Sequence, residues 1–377
     1  MRVAMSSFRF NNQGGIERAS YEVARRLATS VDLTLVATAV DPLPPAPLAS
    51  HLVREPRGPG FLIPARYSAA ATKSLRGERF DILHNQGGCA LRVQDVITAH
   101  SCHRAWWEMK FRNGEAARAL ANPLHHTILH VERRNYRPGA FRRVIAVSHG
   151  VGREVTEHYG VPDELITVIP NAVDAARFQP SDAGERRHRM RAQHGITADD
   201  VVLLFVGKEF RRKGLAALID ALPHLPSQAR ALVVGGDEQA PFRAQAAELG
   251  VGDRVVFAGH SPTVEDYFQA ADVFVFPTLY EAFALVTLEA ASAGLPLVTT
   301  RVNGTEDFVV DGENGVFIER TGTSIARGLA PLVNDPTVRR RMGEQARKDA
   351  ASYTWDTVAA RTLEVYERVH AEKTSST

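Results

Sequence analysis

Two acids eight positions apart, Glu281 and Glu289, bracket the segment Glu-Ala-Phe-Ala-Leu-Val-Thr-Leu-Glu. An apolar run at 272–277 (Asp-Val-Phe-Val-Phe-Pro) precedes it, and Gly294-Leu-Pro296 closes it. This pattern predicts a buried strand, a short loop, and a helix from near Ala282 to Gly294. Ligands of open parallel sheets bind beyond the carboxyl ends of the strands. The unpaired N–H groups of Phe283, Ala284 and Leu285 at the helix start would seat an anion such as phosphate. Glu289 would lie about 12 Å further along the axis than Glu281. A molecule with a polyol at each end and phosphate between them, such as a nucleotide sugar, suits that layout. Two solvated glutamates on a surface helix would look similar, but Glu289 is flanked by Leu288, Ala290 and Ala291. An unpaired carboxylate there would be costly to bury.

Lys208, Arg211, Arg212 and Lys213 put four cations into six residues after another apolar run, and Gly214 ends them. Such a cluster suits a diphosphate, although a solvated basic loop would read the same way and no Walker pattern is present. Gly14 and Gly15 stand between a predicted strand and helix, where paired glycines let a backbone approach a ligand; a simple tight turn is the alternative. His100 ends a short strand and could bond a sugar hydroxyl or a phosphate, or be a satisfied core histidine. His126 and His130 have metal-ligand spacing but no third ligand in persuasive register, so no metal is expected. Trp106, Trp107 and Phe111 crowd together with Arg104, Lys110 and Arg112. That group suits an interfacial contact or stacking on an acceptor sugar, or plain packing under a loop.

The elements that must position these residues alternate strand with helix. Strands are expected at 3–6, 31–36, 80–84, 96–99 and 144–147, then at 201–206, 231–234, 255–257, 273–276 and 297–300. A proline-rich loop is expected at 41–47. The chain of 377 residues is long for one domain. The expected division is a first α/β domain at 1–169, a second at 170–353 with a hinge near Pro170, and a tail helix from 354 that packs back on the first. The fold class is α/β, with two doubly wound sheets facing across a cleft.

Residues 1–170 hold 22 Lys and Arg against 15 Asp and Glu, a net +7, and the remainder is −5. A basic first half could meet an anionic membrane surface or a phosphorylated acceptor, or could reflect an arginine-rich genome. Nothing points to nucleic acid. Two cysteines, Cys89 and Cys102, suit a reducing compartment. The opening residues carry no signal-peptide core and no apolar stretch approaches 18 residues, so a cytoplasmic protein is expected.

Taken in order, Gly14-Gly-Ile-Glu-Arg18, Val147-Ser-His-Gly150, Pro170-Asn-Ala-Val-Asp174, Gly207 to Lys213-Gly214, and Glu281-x7-Glu289 resemble the family-four retaining glycosyltransferases with the GT-B fold. The segment 207–214 is most similar to the lipopolysaccharide-core α-glucosyltransferases that use UDP-glucose. The resemblance implies that the first domain binds a glycan or glycolipid acceptor and the second the donor. Lys213, with Arg212 or Lys208, would hold the donor diphosphate, aided by the Gly15 backbone. Glu289 would bind the ribose and Glu281 the transferred sugar. The amides of Phe283, Ala284 and Leu285 would contact phosphate or sugar, and His100 would sit beside the donor sugar. Transfer would retain the anomeric configuration, with the leaving diphosphate helping to take the acceptor proton and no metal required. Two departures stand out. Lys208 replaces a customary arginine, and Ala282 and Ala284 replace customary glycines, which implies a tighter sugar pocket. A non-catalytic glycan-binding subunit and a nucleotide-sugar epimerase of the same fold are the competing readings.

Overall fold

The computed structural model describes residues 1–42, 49–87, 91–179 and 183–375. Cys89 and most of the proline-rich stretch 41–47 lie outside the described residues. The chain divides into two compact units, Met1–Ala172 with Trp355–Thr377, and Val173–Thr354.

The first unit holds β1 (Arg2–Ser6), β2 (Arg9–Phe10), β3 (Asp32–Ala37), β4 (Ala39–Val40), β5 (Ala49–Leu52), β6 (Ile82–Gln86), β7 (Val96–Ala99), β8 (Arg143–Ala146) and β9 (Ile166–Val168). Seven of these form one parallel sheet in the order β5-β3-β1-β6-β7-β8-β9, with β2 and β4 paired apart. The second unit holds β10 (Val201–Val206), β11 (Ala229–Val234), β12 (Val255–Gly259), β13 (Val273–Phe276), β14 (Leu297–Thr299) and β15 (Gly315–Phe317). They run parallel in the order β12-β11-β10-β13-β14-β15. Each sheet reverses its winding once, between β1 and β6 and between β10 and β13. Those reversals are the switch points at which doubly wound sheets bind ligands. The short strands β2, β4, β5, β9 and β15 lack the long apolar runs of the others and were not legible beforehand.

Strand β10, Val-Val-Leu-Leu-Phe-Val, is apolar on both faces because helices cover both sides of a parallel sheet. Val202, Leu203, Leu204 and Phe205 are fully buried. Phe210, in the middle of the cation segment, is fully buried too and meets Phe205 and Phe242 edge-on at 5.8 Å in each case. One aromatic side chain thus anchors a highly charged loop in the core.

The tail helix Trp355–Ser375 belongs to the first unit and packs on the helix Ile16–Leu27. Trp355, Val358, Thr362 and Val365 share its buried face, as the 3.6-residue period predicts. Tyr366 from this helix reaches the fully buried His84, whose Nδ1 lies 2.5 Å from the phenol while Nε2 lies 2.8 Å from Thr98 Oγ1.

Burial lowers the imidazole of His84 to about 3 and those of His100 and His103 to about 4, from an ordinary 6.5. An unfolded chain takes up protons on these rings as pH falls through 6.5, whereas the folded unit does so only near 4 or below. Stability present above pH 6.5 is therefore lost progressively toward pH 4. Glu132, whose carboxyl burial raises, acts in the opposite sense. The melting temperature is expected to drop between pH 7 and pH 4, with a shallower slope in a His84→Gln variant. Equal slopes for the two proteins would remove His84 from this account.

Candidate functional site

In the second unit the loops after β10 and β13 meet at the switch point. Glu281 is the centre of their contact. Its Oε1 accepts from Arg212 Nη1 at 3.0 Å, from Lys213 Nζ at 3.0 Å, and from Thr278 Oγ1 at 3.2 Å. Burial opposes the charge on Arg212, yet the carboxylates of Glu281 and Glu209 outweigh it and raise the guanidinium above its ordinary value. Lys213 Nζ also lies 4.6 Å from the centre of the Phe276 ring, a cation–π contact at the end of β13. Lys208 is exposed and has no ion pair among the described residues.

The backbone here is unusual for a physical reason. The helical turn Phe210–Lys213 must start immediately after β10, so Gly207 takes φ 156° and Glu209 takes φ 57°. Glu209 is the one non-glycine residue with positive φ among those described, and such outliers cluster at functional sites. Asp237 caps the turn by accepting from Phe210 N at 2.7 Å. A β-carbon on Gly207 would fall 2.4 Å from Lys213 Cδ, so the lysine stem lies directly over the glycine. Arg212 also donates to Tyr280 O at 2.6 Å, and its own carbonyl accepts from Leu279 N at 3.0 Å.

The structure corrects the expected start of the acidic segment's helix. The helix is Leu285–Ser292, with Ala284 as its N-cap at φ −79°, ψ 96°. Phe283 lies outside it and packs against Gly304, where a β-carbon would come within 2.8 Å of Phe283 Cα. The amides seated at the helix start are those of Leu285 and Val286 with the N-cap Ala284, since Thr287 N already bonds Ala284 O; Phe283 precedes the helix. Glu281 is not on the helix, so the 12 Å axial spacing does not apply. Glu289 stands four residues, about 6 Å, beyond Leu285. It is buried, and its charge reaches Arg177, which pairs with Glu265 at 2.9 Å.

In the first unit, His100 is buried, with Nε2 2.9 Å from Gln86 Oε1. The other end of that amide faces Met5 Sδ at 3.6 Å, so His100 donates through Nε2–H and Nδ1 keeps its lone pair. Held near 4 by burial, the ring is neutral at physiological pH. A β-carbon on Gly87 would lie 3.4 Å from His100 Cδ2 and 3.8 Å from Ile16 Cγ2. Gly87 therefore lies between His100 and the helix that Gly15 opens. Gly14 has φ 81° and supplies the turn, whereas Gly15, the N-cap of that helix, has φ −92° and open space where a side chain would project.

Other candidates are accounted for locally. Lys110 lies 4.6 Å over the Trp106 ring and Arg104 5.1 Å over that of Trp107, so chain cations already stack on both indoles. His126 bonds the Leu120 carbonyl at 2.9 Å. Ser148 caps the helix His149–Tyr159. Thr278, Asp237, Gln86, Arg177 and Arg320 escaped sequence reading, because isolated residues of common type carry no spacing signal.

Residues 13–177 match the family described as Glycosyltransferase Family 4, and residues 186–349 match Glycosyl transferases group 1. The chain belongs to these glycosyltransferases. An uncharacterized glycosyltransferase of Methanocaldococcus jannaschii is 32% identical over 59% of this chain and 59% of its own length. A D-inositol 3-phosphate glycosyltransferase of Acidothermus cellulolyticus is 28% identical over 96% of this chain and 87% of its own. The chain thus spans under two thirds of the archaeal relative. Among solved structures, WaaG, a glycosyltransferase involved in lipopolysaccharide biosynthesis, superposes with a TM-score of 0.80 at 22% identity, covering 97% of this glycosyltransferase and 99% of WaaG. Anabaena HepE, solved with UDP and glucose, gives 0.75 at 18% identity, covering 98% and 100%. These likenesses establish the GT-B fold. No helix among the described residues is long and apolar enough to cross a membrane.

Proposed function

We propose that this glycosyltransferase moves a hexose, with glucose from UDP-glucose the first choice, onto a glycan or lipid-linked glycan of the cell envelope, with retention of configuration. The observation that carries the reading is the contact of Arg212 and Lys213 with Glu281 at the switch point of the second sheet. Glu281 gives the two cations a negative partner, and a donor diphosphate would give them another during transfer. As the sugar–phosphate bond breaks, charge builds on the diphosphate, and Arg212, Lys213 and the amides of Leu285 and Val286 stabilise it. Glu281, released from the cations, binds hydroxyls of the transferred sugar, and Glu289 binds those of the ribose. Lys208 adds an exposed cation at the loop's rim. In the first unit, His100 offers Nδ1 to a substrate hydroxyl, and the Gly14–Gly15 turn offers backbone N–H to an anionic group. The paired-carboxylate mechanism of glycosidases does not fit, because Glu281 is engaged by two cations and Glu289 is buried in a helix.

The names of the relatives support glycosyl transfer while differing in acceptor, and the UDP and glucose bound by HepE favour a hexose, so the acceptor panel should hold both an inositol phosphate and lipopolysaccharide-core glycans. The excess of arginine in the first half supports an anionic acceptor or contact with an anionic membrane surface. A thermal-shift panel of UDP-, GDP- and ADP-sugars tests the donor, since a ligand that binds only the native state raises its melting temperature. UDP-glucose is expected to give the largest shift. Release of free UDP during turnover distinguishes a transferase from an epimerase, and the absence of any slow donor hydrolysis would favour a non-catalytic glycan-binding subunit.

A further inference from the structure

We propose that Arg320 is a positioning residue for the donor diphosphate, bridging the loops after β10 and β13 so that Arg212 and Lys213 are held at a fixed spacing from Glu281. This rests on the donor reading given above. Arg320 lies beyond β15, outside every segment that carried the sequence reading. Its Nε donates to Pro277 O at 3.1 Å, and its Nη2 donates to Arg211 O and, at 3.4 Å, to Arg212 O. The last carbonyls of a helical turn lack partners within it. In the turn Phe210–Lys213, Gly214 N serves Phe210 O and Leu279 N serves Arg212 O, and Arg211 O is left for Arg320.

The guanidinium is therefore shared between the end of that turn and the first residue after β13. Arg320 has no carboxylate partner among the described residues and is half-buried. Its contacts go to main-chain carbonyls, which tie backbone to backbone whatever the neighbouring side chains do. A planar fork can serve two strand ends at once, whereas an ammonium is a single point of charge. Its position also adds a third cation behind Arg212 and Lys213. A misplacement of about 1 Å in charged groups can cost on the order of 100-fold in rate.

Two readouts test the proposal. Without nucleotide, hydrogen exchange in an Arg320→Ala variant is expected to quicken at 210–214 and 277–281 together while β10 and β11 keep their protection. Unchanged exchange in both loops would overturn the bridge. With nucleotide, calorimetry compares UDP with UMP. Arg320→Ala is expected to weaken UDP by about tenfold or more and UMP by less than about threefold, with Arg320→Lys recovering only part. The KM for donor rises and that for acceptor does not. Equal weakening of UDP and UMP would make Arg320 merely structural and overturn the positioning role. Failure of the unaltered protein to bind UDP, GDP or ADP would sink the donor reading, while the exchange experiment would still decide the bridge.

Discussion

Lys213→Ala is expected to lower kcat/KM for sugar transfer by about 100- to 1,000-fold, the range for deleting one electrostatic stabiliser of a developing anion. Nucleoside-diphosphate affinity should fall with it, because on the proposed reading Lys213 meets the diphosphate before and during the reaction. Glu281→Gln is expected to give the opposite binding signature. Its Oε1 now competes for both Arg212 and Lys213, and the amide cannot match the carboxylate in holding two cations. UDP should bind at least as tightly as to the unaltered protein, while kcat drops by about 100-fold or more if, as proposed, Glu281 holds a hydroxyl of the transferred sugar. Both variants should still melt cooperatively, since Lys213 and Glu281 each keep 13% of the side-chain surface accessible and water can reach the orphaned charge. Steady-state kinetics and calorimetry on purified protein check both statements. Near-native turnover in either variant would sink the assignment.

Gly214→Ala is expected to be a severely damaging small substitution in the second unit. Gly214 has φ 88°, and a β-carbon there would lie 2.1 Å from Pro277 O, the carbonyl that Arg320 also holds. The left-handed conformation alone costs about 1–2 kcal/mol for a residue with a side chain, and a backbone oxygen cannot swing aside as a side chain can. A total loss above about 3 kcal/mol in denaturant unfolding is expected, together with loss of transfer as the loop after β13 shifts. Gly250→Ala is the control. Its φ is 67° and nothing lies within 4 Å of the added carbon, so it should cost only the backbone term. Equal losses at the two positions would show that the contact with Pro277 is not what makes Gly214 necessary.

Much of the candidate site was legible because its residues cluster locally. The run Lys208–Lys213 announced itself by charge density, and Glu281 and Glu289 by their place between an apolar strand and a Gly-Leu-Pro stop. The helix start was not legible because Ala282 and Phe283 have acceptable helix propensity, while the packing of Phe283 against Gly304, some twenty residues later, carries no local signal. The pairing of Glu281 with the cations was equally invisible. It joins residues 68 and 69 positions apart, and no periodicity relates them.

Apolar runs and glycine punctuation act through neighbours in the chain, so by itself the order of residues determined the alternation of strand and helix, the two-unit organisation, and the candidate residues at strand ends. Tertiary structure alone decided which of those ends meet. Parallel strands β10 and β13 are neighbours across a crossover of two other strands, and that topology brings Lys213, Glu281 and Arg320 to one place. The neutral state of His100 also waits on the fold, because burial against Gln86 and Gly87, rather than anything adjacent in the chain, removes the water that would stabilise its charge.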